Sequence, residues 1–343
     1  MTCVEPACPK CTRWNSASNE YEKFLVYLKL LTTPKQIVKT FQKFKGIELT
    51  RFKECVQLYG RKPLTVIYDN LPDRFQTELI DYFESQKHQK LLHVLTDIDD
   101  TLFPSSIGGS DISWIQHQFY PGVLQFIYEL SPNYITMLSA RPKFLKNRTS
   151  KKFTNICVPN DVLSGTASHI LTDGLPNWVR IKNNQYDKLE SYTNFAKRKV
   201  ENFKKYQMLF PEYKFIFFGD IGQGDLVVAN QITQDPSVLR AIIHDISRYP
   251  HQQSLYTERT LNEDLKPLLN SKITVVKNYV VAAWHMPKSI LDNEALLRII
   301  ESANQEIYSV KCSNDKISPF ITKIANDHLM NNIRLRSRLA QKL

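Results

Sequence analysis

Residues Leu91 to Thr101 read L-L-H-V-L-T-D-I-D-D-T, and this stretch limits the possible folds more than any other part of the chain. An apolar run of strand length delivers three carboxylates and a threonine, as when a buried parallel strand ends in acids at one edge of a sheet. Asp97 falls at the C-terminal end of that strand and Asp99 in the loop that leaves it. Acids at this spacing can converge on one cation and one phosphate. Phosphoryl transfer through an aspartyl intermediate uses such a pair. Asp97 attacks phosphorus in line, Mg2+ offsets the repulsion between carboxylate and phosphate, and Asp99 protonates the leaving oxygen before deprotonating the hydrolytic water. For the motif alone, an Asp-rich turn after a core strand is the plain alternative.

Further strand ends add weight to the first. Tyr134 to Leu138 reads as a second buried strand, ending in Ser139-Ala140-Arg141-Pro142, where a hydroxyl can hydrogen-bond a phosphoryl oxygen. Between the two, Pro121-Gly122-Val123 opens a helix that runs through Leu130. The segment from Asp161 to Asn184 reads as irregular and leads to a helix from about Lys188 through Phe203. Lys188 can neutralise phosphate charge; Lys197 and Lys199 compete by residue type, and only position relative to the next motif favours Lys188. Thr101 and Arg141 join Ser139 and Lys188 as candidate substrate-binding residues. A third strand, Phe215 to Phe218, runs into Gly219-Asp220-Ile221-Gly222-Gln223-Gly224-Asp225, a turn that presents two acids to a cation. Asp97, Asp99, Asp220 and Asp225 are therefore the candidate Mg2+ ligands. A fourth strand, Ala241 to His244, ends at Asp245, read as a loop acid or an outer ligand, and Ile273 to Ala283 reads as a fifth strand.

Charge is distributed to match. The net charge of +11 conceals a block at 91–140 with five acids and no Lys or Arg, and another at 215–265 with seven acids and three basic residues. The intervening block at 141–214 has fifteen basic residues against six acids. Acidic blocks suit a cation site and the basic one an anionic substrate or surface. Arg141, Lys143, Lys146, Arg148, Lys151 and Lys152 form its densest part. Each such side chain near an anionic bilayer contributes about 1 kcal/mol, enough for reversible peripheral contact. Nucleic acid would use the same charges, but few aromatics interleave and no nucleic-acid-binding signature is present; a solvated face is the plain alternative.

At 343 residues and 42% hydrophobic, the chain can bury a large core. The N-terminus has no apolar signal segment and no run approaches the ~20 apolar residues of a spanning helix, so a soluble, cytoplasmic protein, peripheral at membranes, is expected. Six scattered cysteines suggest free thiols; Cys3, Cys8 and Cys11 lack a fourth zinc ligand before Cys55. The chain divides into a loose terminus at 1–18, a helical region at 19–89, a catalytic domain at 90–285 and a helical region at 286–343, in which Leu296, Ile299, Ile300, Ala303 and Ile307 form a docking stripe.

The order strand, D-I-D-D-T, strand, Ser, Lys, strand, G-D-x-x-x-x-D resembles the haloacid-dehalogenase-like phosphatases. Asp97 to Thr101, Pro121-Gly122-Val123, Ser139 with Pro142, Lys188-Leu189-Glu190, Gly219-Asp220 with Gly222 and Asp225, and Ala241 to Asp245 together look like the catalytic domain of the actin-patch-associated phosphatidate phosphatases. Ile221, Leu226 and Arg141 depart from that family's usual residues. The resemblance implies an α/β Rossmann-like parallel sheet with a small or absent cap. It also implies Mg2+ dependence and hydrolysis of phosphatidate to diacylglycerol at a membrane surface. It further implies Asp97 as nucleophile, Asp99 as general acid and base, Ser139 and Lys188 as phosphate ligands, and Asp220 as the principal metal acid with Asp225 assisting.

Overall fold

The structure is a computed structural model that describes residues 21–87, 91–104, 113–116, 118–130, 135–142, 160–165, 188–221, 224–246, 266–313 and 319–340. A short 3-10 helix (Val26–Leu30) is followed by four α-helices: α1 (Pro34–Phe41), α2 (Gly46–Tyr59), α3 (Leu64–Asp69) and α4 (Asp73–Ser85). There follow β1 (Leu91–Thr96), α5 (Val123–Leu130), β2 (Ile135–Pro142), β3 (Asn160–Gly165), α6 (Lys188–Leu209), β4 (Tyr213–Asp220), α7 (Asp225–Ile232), β5 (Val238–His244) and β6 (Ile273–Val276). Three more helices close the described chain: α8 (Tyr279–Trp284), α9 (Asn293–Ser313) and α10 (Pro319–Ala340).

The six strands form one sheet in the order β3-β2-β1-β4-β5-β6, with every neighbouring pair parallel. This is a Rossmann-like arrangement, and its order reverses between β1 and β4. Parallel strands covered on both faces read as nearly continuous apolar runs, which is why β1, β4 and β5 stood out in the sequence. Their side chains alternate between two cores. Val94, Ile135, Met137, Ile216, Phe218 and Ile242 meet α5, α8, α9 and α10, while Leu95, Leu138, Phe215, Phe217, Ala241 and Ile243 meet α1–α4, α6 and α7. The docking stripe on α9 is buried: Leu296, Ile299, Ile300, Ala303 and Ile307 lie in the first core, where α9 packs on α5, α8 and α10. Gly122 makes the approach of α5 to α9 possible, since a Cβ there would lie 3.0 Å from Cβ of Ala303, and its φ of +80° suits glycine.

Two elements differ from the sequence expectation. Asn160–Gly165 is a strand, not part of an irregular segment; paired only to β2 at the sheet's edge, N-D-V-L-S-G does not need the apolar run of a central strand. The expected single strand over 273–283 is β6 followed by α8, because Asn278 caps a helix by accepting a hydrogen bond from Val281 N–H at 2.9 Å. The expectation of a small or absent cap falls on segments largely outside the described residues, as does the basic stretch from Lys143 to Lys152.

The N-terminal helices close on the sheet through buried charge. Lys53 Nζ donates to Glu212 Oε2 and to the Leu209 carbonyl, each at 2.9 Å, and Thr50 Oγ1 donates to Glu212 Oε1 at 2.7 Å. Glu54 accepts from Tyr213 OH at 2.6 Å, Tyr21 OH at 2.8 Å and Arg51 Nη1 at 2.9 Å. The Lys53 ammonium also stands over the rings of Phe83 and Phe210, 4.5 and 4.9 Å from their centroids. Burial lowers the pKa of Lys53 against the pull of Glu212, and burial raises that of Glu54 against Arg51.

Candidate active site

In an open parallel sheet, ligands bind beyond the C-terminal strand ends, where the strand order reverses. Here that point lies between β1 and β4, and both strands end in acids. Asp97 extends the pairing one residue beyond β1, its N–H donating to the Phe218 carbonyl at 2.8 Å. Asp220 is the last residue of β4 and Asp225 the first of α7, and both are fully buried. Gly219 permits the turn that joins them. A Cβ there would lie 2.8 Å from Cβ and 2.9 Å from Oδ2 of Asp225, so any other residue would push that carboxylate aside.

One carboxylate oxygen each from Asp97, Asp220 and Asp225 lies within 4.8 Å of the others. Lys199, buried in α6, reaches into the same space, its Nζ lying 3.0 Å from Asp97 Oδ1 and hydrogen-bonded to Asp225 Oδ1. Asp225 Oδ2 accepts from the Asp220 N–H at 3.4 Å, and Thr101 Oγ1 donates to Asp220 Oδ2 at 3.4 Å. Asp97 Oδ2 is buried and has no hydrogen-bond partner among the described residues.

The electrostatics follow from burying three acids beside one ammonium. Burial raises the pKa of Asp97, with Lys199 opposing and the charge of Asp99 adding to it. Burial and then the charges of Asp225, Asp100 and Asp97 push Asp220 well above the usual carboxylate range. Burial likewise pushes Asp225 up to about 7, against the pull of Lys199. Burial disfavours the Lys199 ammonium, yet Asp225 and Asp97 outweigh it and hold its pKa above the ordinary lysine value.

This donor set fits a small hard cation. Hard divalent ions take carboxylate oxygens, three of which converge here, and their formal charge exceeds that of Lys199 by two. The unpartnered Asp97 Oδ2 is the kind of buried oxygen a cation would satisfy.

The candidate residues are brought together unequally. Of the four candidate metal ligands, Asp97, Asp220 and Asp225 converge, and Thr101 joins them through Asp220. Asp99 does not enter the three-carboxylate group; it is half-buried in the adjoining turn and acts on Asp97 through charge. Ser139 and Arg141 lie on β2 and Lys188 opens α6, but their side chains lie outside the described residues. Asp245 is buried beyond β5, its N–H donating to the Val276 carbonyl at 2.7 Å, and it too is outside the group. Comparison with protein-family models, with curated proteins and with solved structures gave no match.

Among the described residues Lys199 is the lysine that meets the acids, whereas sequence reasoning favoured Lys188, whose side chain lies outside them. Eleven residues separate the two, about 16 Å along a helix at ~1.5 Å per residue. A signal was present: Ala196, Val200 and Phe203 are buried at helical spacing, and Lys199 falls on that same stripe. Lys197, the other competitor, is exposed.

Proposed function

We propose that the chain is a Mg2+-dependent phosphomonoesterase working through an aspartyl-phosphate intermediate. The observation that carries this reading is Asp97, with Oδ1 held by Lys199 and Oδ2 buried and unpartnered at the sheet's switch point. Lys199 fixes the carboxylate's rotation. A carboxylate oxygen of Asp97 attacks phosphorus in line, forming an acyl phosphate as the bond to the ester oxygen breaks. Asp99 gives its proton to that leaving oxygen. It then takes a proton from water as the water attacks phosphorus, releasing inorganic phosphate and restoring Asp97. The Lys199 ammonium and the Thr101 hydroxyl lie where phosphoryl charge develops. Bound by Asp97, Asp220 and Asp225, Mg2+ would supply positive charge against the anionic phosphoryl group.

We assign phosphatidate as the substrate, in line with the motif resemblance. One placement supports a lipid interface: β2 lies beside β1 in parallel, so its last residues, Arg141 and Pro142, lie toward the sheet edge that carries Asp97. The basic run of 141–152 thus starts beside the site and is proposed to rest on an anionic membrane from the cytoplasmic side. No helix among the described residues is long and apolar enough to cross a membrane. The test is phosphate release from phosphatidate in mixed micelles and from a soluble aryl phosphate, with and without Mg2+. Metal-dependent release from the lipid, lost in Asp97→Asn, supports the whole reading. Release from the aryl phosphate alone keeps the chemistry and removes the lipid; release from neither removes both.

A further inference from the structure

The turn that carries Asp99 and Thr101 is held by groups far away in sequence. Leu102 N–H donates to the Ile98 carbonyl at 3.0 Å, Asp100 N–H to the Phe103 carbonyl at 2.9 Å, and Tyr120 N–H to the Leu102 carbonyl at 2.9 Å. Within this turn Asp100 has a φ of +57°, the one positive value at a non-glycine position among the described residues. Such a conformation persists in a side-chain-bearing residue only where its surroundings over-determine it.

Two side chains from the far end of the fold supply that determination. His244, the last residue of β5, places Nδ1 3.0 Å from the Asp100 carbonyl and Nε2 3.2 Å from the Lys277 carbonyl. Both facing atoms are carbonyl oxygens, which only accept, and a neutral imidazole has one N–H; the shorter contact assigns that proton to Nδ1, which donates to Asp100. Tyr279, the first residue of α8, donates its hydroxyl to the Thr101 carbonyl. The imidazole is buried against Tyr120 and Tyr279, with ring centroids 4.3 and 5.4 Å away, which fixes its orientation. Consecutive carbonyls at 100 and 101 are therefore gripped by β5 and α8, immediately after Asp99.

We infer that His244 and Tyr279 are positioning residues that hold the left-handed Asp100 turn and thereby aim Asp99 at the phosphoryl group beside Asp97. Both grip the turn through its backbone carbonyls. The catalytic part of this inference rests on the phosphomonoesterase reading, while the turn-holding part stands without it.

Two substitutions in the full chain separate the two ring nitrogens. The carboxamide nitrogen of His244→Asn falls near Nδ1 and can still donate to Asp100, whereas that of His244→Gln falls near Nε2 and serves Lys277 instead. Amide hydrogen exchange at Asp100 and Leu102 reads the turn, and kcat and KM on a soluble aryl phosphate read the consequence. His244→Gln is expected to speed exchange at Asp100 by about tenfold or more and to lower kcat by about 100-fold with little change in KM, the size of loss that small misplacement of a reacting group produces. His244→Asn is expected to stay within about threefold of the wild type in both. Should His244→Gln fail to fold, Tyr279→Phe replaces it, with faster exchange at Leu102 and a kcat loss of about tenfold expected. Equal exchange in the Gln and Asn variants, or in Tyr279→Phe and the wild type, overturns the inference. A loss of kcat without faster exchange overturns it as well. An opened turn in a protein that releases no phosphate even as wild type upholds the grip of His244 and removes the phosphatase reading.

Discussion

Strand β4 has a buried lysine–carboxylate cluster beyond each end, and the two are built on opposite principles. At its start, Lys53 and Arg51 face Glu212 and Glu54, so the charges balance, and every carboxylate oxygen accepts a hydrogen bond. About 26 Å away along eight residues of strand, Lys199 faces Asp97, Asp220 and Asp225, and Asp97 Oδ2 has no partner among the described residues. Both clusters bear the desolvation cost of buried charge. Among the described residues only the first recovers it from the chain's own groups; the second sets three carboxyl groups against one ammonium, and burial with mutual crowding raises the pKa of each. The basal cluster is complete and serves to join helices to sheet, whereas the apical one has the incompleteness of a site that binds something.

The largest expected contrast is catalytic. Asp97→Asn should lower phosphate release on the order of 10⁴-fold or more while leaving the melting temperature unchanged or higher, because it removes a crowded negative charge. Glu212→Gln should leave turnover per folded molecule intact; an equal loss of turnover in both variants would erase the distinction between the clusters.

Stability should show the reverse order. Lys53→Met leaves Glu212 and Glu54 buried with less compensation and is expected to cost about 3–5 kcal/mol in denaturant titration. A cost below about 1 kcal/mol would show that the basal ion pair is not needed to join the two regions.

Mg2+ should act on one cluster alone. At 100 times its dissociation constant it stabilises a protein by about 2.7 kcal/mol, so a rise in melting temperature is expected for the wild type and for Glu212→Gln. Asp220→Asn should lose most of that rise. Calorimetry with Mg2+ alone checks this without any substrate, and undiminished binding by Asp220→Asn would place the cation elsewhere.

The smallest effect concerns pH at the basal end. His93 on β1 is held neutral by burial, with its pKa lowered to about 3, and its Nε2 pairs with Thr136 Oγ1 at 2.9 Å. The unfolded chain, with an ordinary histidine near 6.5, binds the proton more readily, so stability is lost as pH falls from about 6.5 toward 3. About 1 kcal/mol should disappear between about pH 6 and pH 5, and His93→Gln should flatten that slope.

What the sequence disclosed follows the same division. β1, β4 and β5 could be read because strands buried on both faces leave long apolar runs, and the acids at their ends could be read because they interrupt those runs. Asp97, Asp220 and Asp225 met as a consequence of parallel strand order. Lys199 was harder, since its partners lie on other elements and the helix around it carries several lysines; its place on the Ala196–Val200–Phe203 stripe was the usable clue. The basal cluster was not legible at all. Glu212 and Lys53 are 159 residues apart, and neither stands in a motif. His244 and Tyr279 stayed hidden for a related reason, because they act on backbone carbonyls, which carry no sequence signature.

The contact between Gly122 and Ala303 bears on the order in which the chain is made. Helix α5 is synthesised early, yet the surface it rests against is delivered some 180 residues later. Until α9 arrives, Val123, Phe126, Ile127 and Leu130 and one face of the growing sheet lie open to whatever else is in solution. Over that stretch of synthesis one of the two cores is incomplete, an interval in which exposed apolar surface invites aggregation.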